Sequence, residues 1–299
     1  MAARFLTEAE RRAAPEGRQA ALDLARRAPA LIVAAKQIAA SLVHGVHGRR
    51  RAGLGETFWQ YRQFMSGEAA QRVDWRRSAR DDRLYVRERE WEAAHTVWIW
   101  MDLSPSMAFV SDLAQQSKVE RALVLGLACA DLLVRGGERV GLLGLTRARA
   151  SRDIVEHLAE ALLHARGADG DLPPAQPVGP RERCLLISDF LVAPDALAER
   201  LAALTGRGAT GHLLTVADPI EESFPFSGHV EFLDSDSPQI MRAARAQDWR
   251  QAYAQRLATH RAAIAETARA HGLNVAMHRT DRPASEALLA LRTRLEEAA

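Results

Sequence analysis

Cysteine, lysine and aromatic residues are all scarce in this chain, and each scarcity removes a class of explanation. Only Cys129 and Cys184 occur among 299 residues. Neither has a second cysteine or a histidine at zinc-ligand spacing, and both sit in apolar runs that predict helix and strand, so they read as small buried hydrophobes of a reducing compartment. Lysine is limited to Lys36 and Lys118, and the other 38 cationic side chains are arginine. We read that skew as genome composition and not as selection for phosphate contacts. Aromatics make up 6% of the chain. The longest apolar runs, such as residues 122–134, are too short to cross a bilayer and contain Asp131, so no membrane span is expected. Glu8, Glu10 and Glu16 stand where a secretory signal would be apolar, so the expected compartment is cytoplasmic.

Catalytic signatures are missing too. There is no Gly-x4-Gly-Lys-Ser/Thr phosphate cradle. Ser104 is flanked by Leu103 and Pro105, not by the small residues that a nucleophile elbow needs. A phosphoaspartyl-transferase loop would carry a second aspartate two residues after Asp102, where this chain has Ser104. The ten histidines are scattered and form no metal-ligand doublet. The expectation is a protein that is not an enzyme.

What is present is an ordinary globular composition, 47% hydrophobic and 26% charged with a net charge of +2, which requires no acidic partner. The charge is uneven. Residues 1–95 carry an excess of six positive charges and residues 96–299 an excess of four negative ones, which supports an N-terminal module ahead of a separate body. Residues 17–44 have apolar positions at three- and four-residue steps and predict helix, with Pro29 as a point where it would divide. Residues 45–95 are rich in Arg, Gly and aromatics and fit short strands and turns.

From residue 96 the pattern alternates. Apolar runs at 97–101, 140–145, 184–187, 212–216 and 273–277 predict strands. Segments 119–134, 154–163, 196–204 and 240–270 predict helices. Strands alternating with helices imply an α/β fold, a doubly wound and mostly parallel sheet with helices on both faces. The expected organisation is a helical extension over 1–44, a small Arg/aromatic-rich β segment over 45–95, and the α/β body over 96–299.

The most informative stretch is the apolar strand that runs into Asp102-Leu103-Ser104-Pro105-Ser106-Met107. It places one carboxylate and two hydroxyls at a strand end, where open α/β sheets bind their ligands. Ser188-Asp189 ends another predicted buried strand, and the topology can bring it beside the first. Asp102, Ser104, Ser106 and Asp189 are therefore the candidate metal site, with the oxygen donors that Mg2+ prefers and the two carboxylates expected within about 8 Å. Taken alone, Ser104 could equally be a helix cap. A hydrolase using Asp102 and Asp189 with a metal is an alternative.

The arginines at 49–51 and in 72–89, interleaved with Trp59, Tyr61 and Trp75, offer a second alternative, a nucleic-acid surface in segment 49–89. Asp74, Asp81, Asp82, Glu88 and Glu90 lie among them, which favours a salt-linked structural block over nucleic acid. In that block Trp75 is expected to be buried, and Arg76 and Arg80 to pair with carboxylates or cap carbonyls.

Several motifs together carry a resemblance. They are Gly55, Phe58 and Arg62; Gly67-Glu68; Arg72-Val73-Asp74-Trp75-Arg76 followed by Ser78-Ala79-Arg80; Leu84 and Val86; the Asp102–Met107 stretch; Ser188-Asp189; Asp218-Pro219 with Glu221, Pro225 and Gly228; and Arg279-Thr280-Asp281. From about residue 45 onward the chain resembles the bacterial and archaeal domain-of-unknown-function family 58, a von Willebrand factor A-like family. The resemblance implies a metal-ion-dependent adhesion site, in which Mg2+ grips a partner's carboxylate without doing chemistry. It also implies a protein partner, a MoxR-type AAA+ ATPase or its client, in chaperone-like assembly or activation of other proteins. Such a site normally has a further threonine in a later loop. Residues 154–180 contain none, with Thr146 and Ser151 the nearest hydroxyls, so any Mg2+ is expected to bind weakly.

Overall fold

The computed structural model describes residues 3–5, 17–44, 58–65, 71, 73–80, 83–89, 95–165, 170–234 and 240–297. The chain divides into two compact units, one of Met1–Gly45 with His95–Ala299 and one of Val46–Ala94. In chain order the first elements are β1 (Ala3–Phe5), α1 (Gly17–His44), β2 (Phe58–Gln63), α2 (Trp75–Ser78) and β3 (Tyr85–Arg89). The alternating part follows with β4 (Thr96–Met101), α3 (Lys118–Arg135), β5 (Arg139–Leu142), α4 (Ile154–His164), β6 (Arg183–Ser188), α5 (Pro194–Thr205) and β7 (Thr210–Ala217). The chain closes with α6 (Pro219–Ser223), β8 (Val230–Asp234), β9 (Ile240–Ala243), α7 (Arg250–Ala270), β10 (Leu273–Arg279) and α8 (Ala284–Glu297).

In the larger unit, five strands form one parallel sheet in the order β10-β7-β6-β4-β5. Because side chains alternate across a strand, the two faces feed two separate cores. Ile99, Met101, Leu185, Ile187, Leu214 and Val216 pack with α1, α3, α4 and α8. Trp98, Trp100, Cys184, Leu186 and Leu213 pack with residues of α5 and α7 on the other face. The doubly wound α/β expectation holds. Among the described residues no helix is long and apolar enough to cross a membrane.

Pro29 does not divide the first helix, which runs unbroken from Gly17 to His44. The proline costs a helical hydrogen bond, worth up to about 3 kcal/mol with its steric clash. Burial of Ala28, Leu31, Ala35 and Ala39 offsets it, the last three as members of the core with α3. The segment read as one helix over 240–270 is also different. Ile240–Ala243 is a strand, paired antiparallel with β8, which also pairs with β1. A 3-10 turn, Ala246–Trp249, leads from there into α7. Phe224, Phe232, Ala243 and Ala246 make a third small core with Trp249 and Tyr253, and this aromatic packing overrides helical propensity at 240–243.

The smaller unit has β2 and β3 as an antiparallel pair. Asp74 caps α2 by accepting from the Arg77 amide, and the Ser78 hydroxyl donates to the Asp74 carbonyl while accepting from the Tyr85 amide. Trp75 is not buried; it is 62% exposed, because α2 is a single turn whose inward position is taken by Ser78. Arg76 and Arg80 are exposed as well. The acids Asp81 and Asp82 interleaved with them lie outside the described residues, as do Arg49, Arg50, Arg51, Arg72 and Glu90.

Candidate functional site

β4 and β6 are neighbours in register, Met101 opposite Ile187, and the Asp102 amide donates to the Ile187 carbonyl. Asp102 and Ser188 therefore leave the sheet side by side at its C-terminal edge. β7 is the next strand and ends at Ala217, so Asp218 reaches the same edge. Four acids gather there. Asp102 and Asp189 come directly from strand ends, and Asp218 and Glu221 form a capping box that starts α6.

Every oxygen of these four carboxylates already accepts a protein donor. Asp102 takes the Ser104 amide at 2.8 Å and the Ser188 hydroxyl at 2.7 Å. Asp189 takes the Leu191 amide at 3.1 Å and the Lys118 ammonium at 2.7 Å. Glu221 takes Lys118 at 2.7 Å and the Asp218 amide at 2.9 Å. Asp218 takes the Ile220 amide and both the amide and the hydroxyl of Ser111. The Ser104 and Ser106 hydroxyls lie 3.0 Å apart.

Lys118 is fully buried, and its ammonium sits between Asp189 and Glu221. The position follows from local structure. Ser117 caps α3 through a reciprocal box with Glu120, which fixes Lys118 as the first residue of the helix, and the Lys118 amide donates to the Phe109 carbonyl. Its stem passes the Phe109 ring, with Nζ 5.9 Å from the ring centre. Burial alone would push the ammonium pKa down, but the two carboxylates outweigh it and hold it above the ordinary lysine value. Burial would push Asp189 up, and Lys118 more than reverses this, so Asp189 stays ionised and lowered. For Glu221 burial prevails over Lys118 and the pKa is raised. Among the described residues no cation pairs with Asp102. Burial lifts its pKa to about 6 against the lowering effect of its hydrogen bonds from Ser104 and Ser188, and the nearby Asp189 adds to the rise.

All four residues expected from sequence, Asp102, Ser104, Ser106 and Asp189, stand at this one edge. Sequence reasoning missed Lys118 and left Glu221 without a role. A signal existed. A chain with 38 arginines and two lysines has one of the two lysines here, at the start of the helix that follows the Asp102 strand. Thr146 and Ser151 are engaged elsewhere, Thr146 accepting from the Leu142 amide and Ser151 donating to Asp153.

The donor set does not fit a divalent cation as it stands. Asp189 is held by Lys118, and a dication about 4 Å from that ammonium would meet a repulsion of about 8 kcal/mol at an effective dielectric of 20. Among the described residues no group of three or more His, Cys, Asp or Glu is placed to hold a metal ion.

The doubly wound α/β body has an Asp-x-Ser-x-Ser strand end beside a Ser-Asp strand end. The chain belongs to the family described as "Protein of unknown function DUF58", whose sequence model matches residues 60–263. Uncharacterized proteins of Mycobacterium tuberculosis and Mycobacterium bovis are each 28% identical over 263 residues, covering 83% of this chain and 82% of theirs. Among solved structures, the conserved hypothetical protein BatB from Bacteroides thetaiotaomicron aligns at a TM-score of 0.35 and 15% identity, over 68% of this chain and all of that one. An aerotolerance-related membrane protein from Bacteroides fragilis aligns at 0.33 and 18%, with the same coverage. Both structural likenesses are loose.

Proposed function

We propose that the protein is a non-enzymatic interaction module that docks a protein partner at the C-terminal edge of its sheet. The partner in this reading is a MoxR-type AAA+ ATPase or its client, and the role is chaperone-like assembly or activation of other proteins. One observation carries the reading. Loop 109–117, between Asp102 and Lys118, is anchored from beneath by the Ser111 bonds to Asp218, yet presents Val110 and Leu113 to solvent at 47% and 55% exposure. Apolar side chains held outward on a rigid, polar-backed loop suit a protein contact. The partner class is what the sequence resemblance implies. The sequence has no Gly-x4-Gly-Lys-Ser/Thr motif, so in this reading the energy source is the partner's.

The test is capture of a MoxR-type ATPase from the source cell by the immobilised chain, with ATP hydrolysis by that partner measured in parallel. Val110→Asp with Leu113→Asp should reduce capture at least tenfold while leaving the fold intact by circular dichroism. Capture unchanged by the double substitution would move the contact off this edge.

A further inference from the structure

We propose that the Lys118 ammonium is the resident cation of this sheet edge, filling with the chain's own charge the place where a divalent metal would sit, so that docking here is metal-independent. The inference rests on the interaction reading for its docking half, and on the geometry alone for its cation half.

An adhesion-type metal centre needs carboxylate and hydroxyl oxygens that converge on one point with an unspent charge and an open position. Here the convergence exists but the charge is spent. Asp189 and Glu221 each accept from one nitrogen at 2.7 Å, and its residue has no solvent exposure. The hydroxyl that would be a direct ligand, Ser106, is paired with the Ser104 hydroxyl at 3.0 Å. Asp102 is bound to Ser188 and the Ser104 amide and is turned toward the protein. Lys118 comes from the first turn of α3, the helix that directly follows the Asp-x-Ser-x-Ser loop, so the same segment supplies both the hydroxyl donors and the cation. A lysine tethered covalently at this position has an effective concentration set by the fold and not by free ion in solution, and it is not removed by chelation.

Two further consequences follow. The edge is preorganised, because no ion has to arrive before it takes its shape. Removing the ammonium should also uncover the latent metal site, since the Asp189 and Glu221 carboxylates would then line the space the side chain leaves and a cation could replace the lost charge.

The experiment titrates Mn2+ and Mg2+ alone into the full chain, followed by calorimetry and by the Mn2+ electron paramagnetic resonance signal. The wild type should leave Mn2+ free and show no cation-dependent rise in melting temperature up to millimolar ion. Lys118→Ala should bind one Mn2+ and be stabilised by it, and Lys118→Ala with Asp189→Asn should lose that binding. One Mn2+ bound by the wild type, and lost in Asp102→Ala or Asp189→Asn, would overturn the proposal, and this arm decides even if the Lys118 variants do not fold. ATPase capture is then repeated with and without EDTA. Capture that resists EDTA supports the proposal, and capture abolished by EDTA sinks it while the interaction reading survives. If capture ignores the Val110 and Leu113 substitutions, the interaction reading fails and the Mn2+ titration still judges the cation.

Discussion

At the scale of single residues, the sheet edge is governed by where charge is balanced and where it is not. Lys118 is balanced by two carboxylates, so its loss leaves them buried and uncompensated. Lys118→Met should therefore cost about 3–5 kcal/mol in urea unfolding at pH 7. Adding Asp189→Asn should recover part of that loss, because the two residues share one interaction. Asp102 behaves oppositely. Its pKa is about 6 in the folded chain against 3.8 unfolded, so between those values the folded state holds the extra proton. Its contribution is thus fully present below pH 4 and is lost as pH rises through 6, by up to about 3 kcal/mol. Asp102→Asn should flatten that part of the stability profile and leave the fold at pH 7 intact. A profile that keeps its slope in the variant would assign the titration to another group.

At the scale of elements, the strand-to-strand and helix-to-sheet spacings depend on two close approaches. A Cβ on Gly211 would stand 1.9 Å from the Cys184 carbonyl of the neighbouring strand, which cannot move without parting β6 from β7. A Cβ on Gly126 in α3 would meet the Met101 sulfur at 2.4 Å, the far part of a flexible side chain. Gly211→Ala should therefore be much the more damaging, beyond the 1–3 kcal/mol of ordinary overpacking, with Gly126→Ala inside about that range. Thermal melts of the two variants rank them, and equal losses would mean that the strands yield more readily than their pairing suggests. The edge itself depends on helix starts. Ser117 and Asp218 cap α3 and α6, and those caps aim Lys118 and Glu221 at each other.

At the scale of the whole molecule, α1 lies before the residues matched by the family yet belongs to the core of the larger unit. Ala35 and Ala39 have no exposure, and the Arg27 guanidinium reaches Glu120 at 2.7 Å. Ala35→Asp would bury a carboxylate against α3 and should cost several kcal/mol, whereas Gln37→Asp, on the exposed side of the same helix, should change little. Similar losses from both would mean that α1 is not docked in solution. Cys129 and Cys184 give a second check. Both thiols are buried and pushed up to about 12, so a thiol reagent at pH 8 should label them only at the rate of unfolding.

The α/β alternation, the two-faced burial of the strands and the strand-end positions of Asp102 and Asp189 were legible in the sequence, because each follows from local periodicity and the residue types at its breaks. Trp75 shows where local reading stops. Its size argued for burial, but a one-turn helix has room for only one inward side chain, and Ser78 took it. The strand at Ile240–Ala243 was hidden for a similar reason, since only its partner Val230–Asp234 and the aromatic cluster beneath decide against helix. The pairing of Lys118 with Asp189 and Glu221 spans 71 and 103 residues. No spacing rule links positions so far apart. Sheet order and two helix caps bring them together, and only the tertiary structure could decide that these three residues meet.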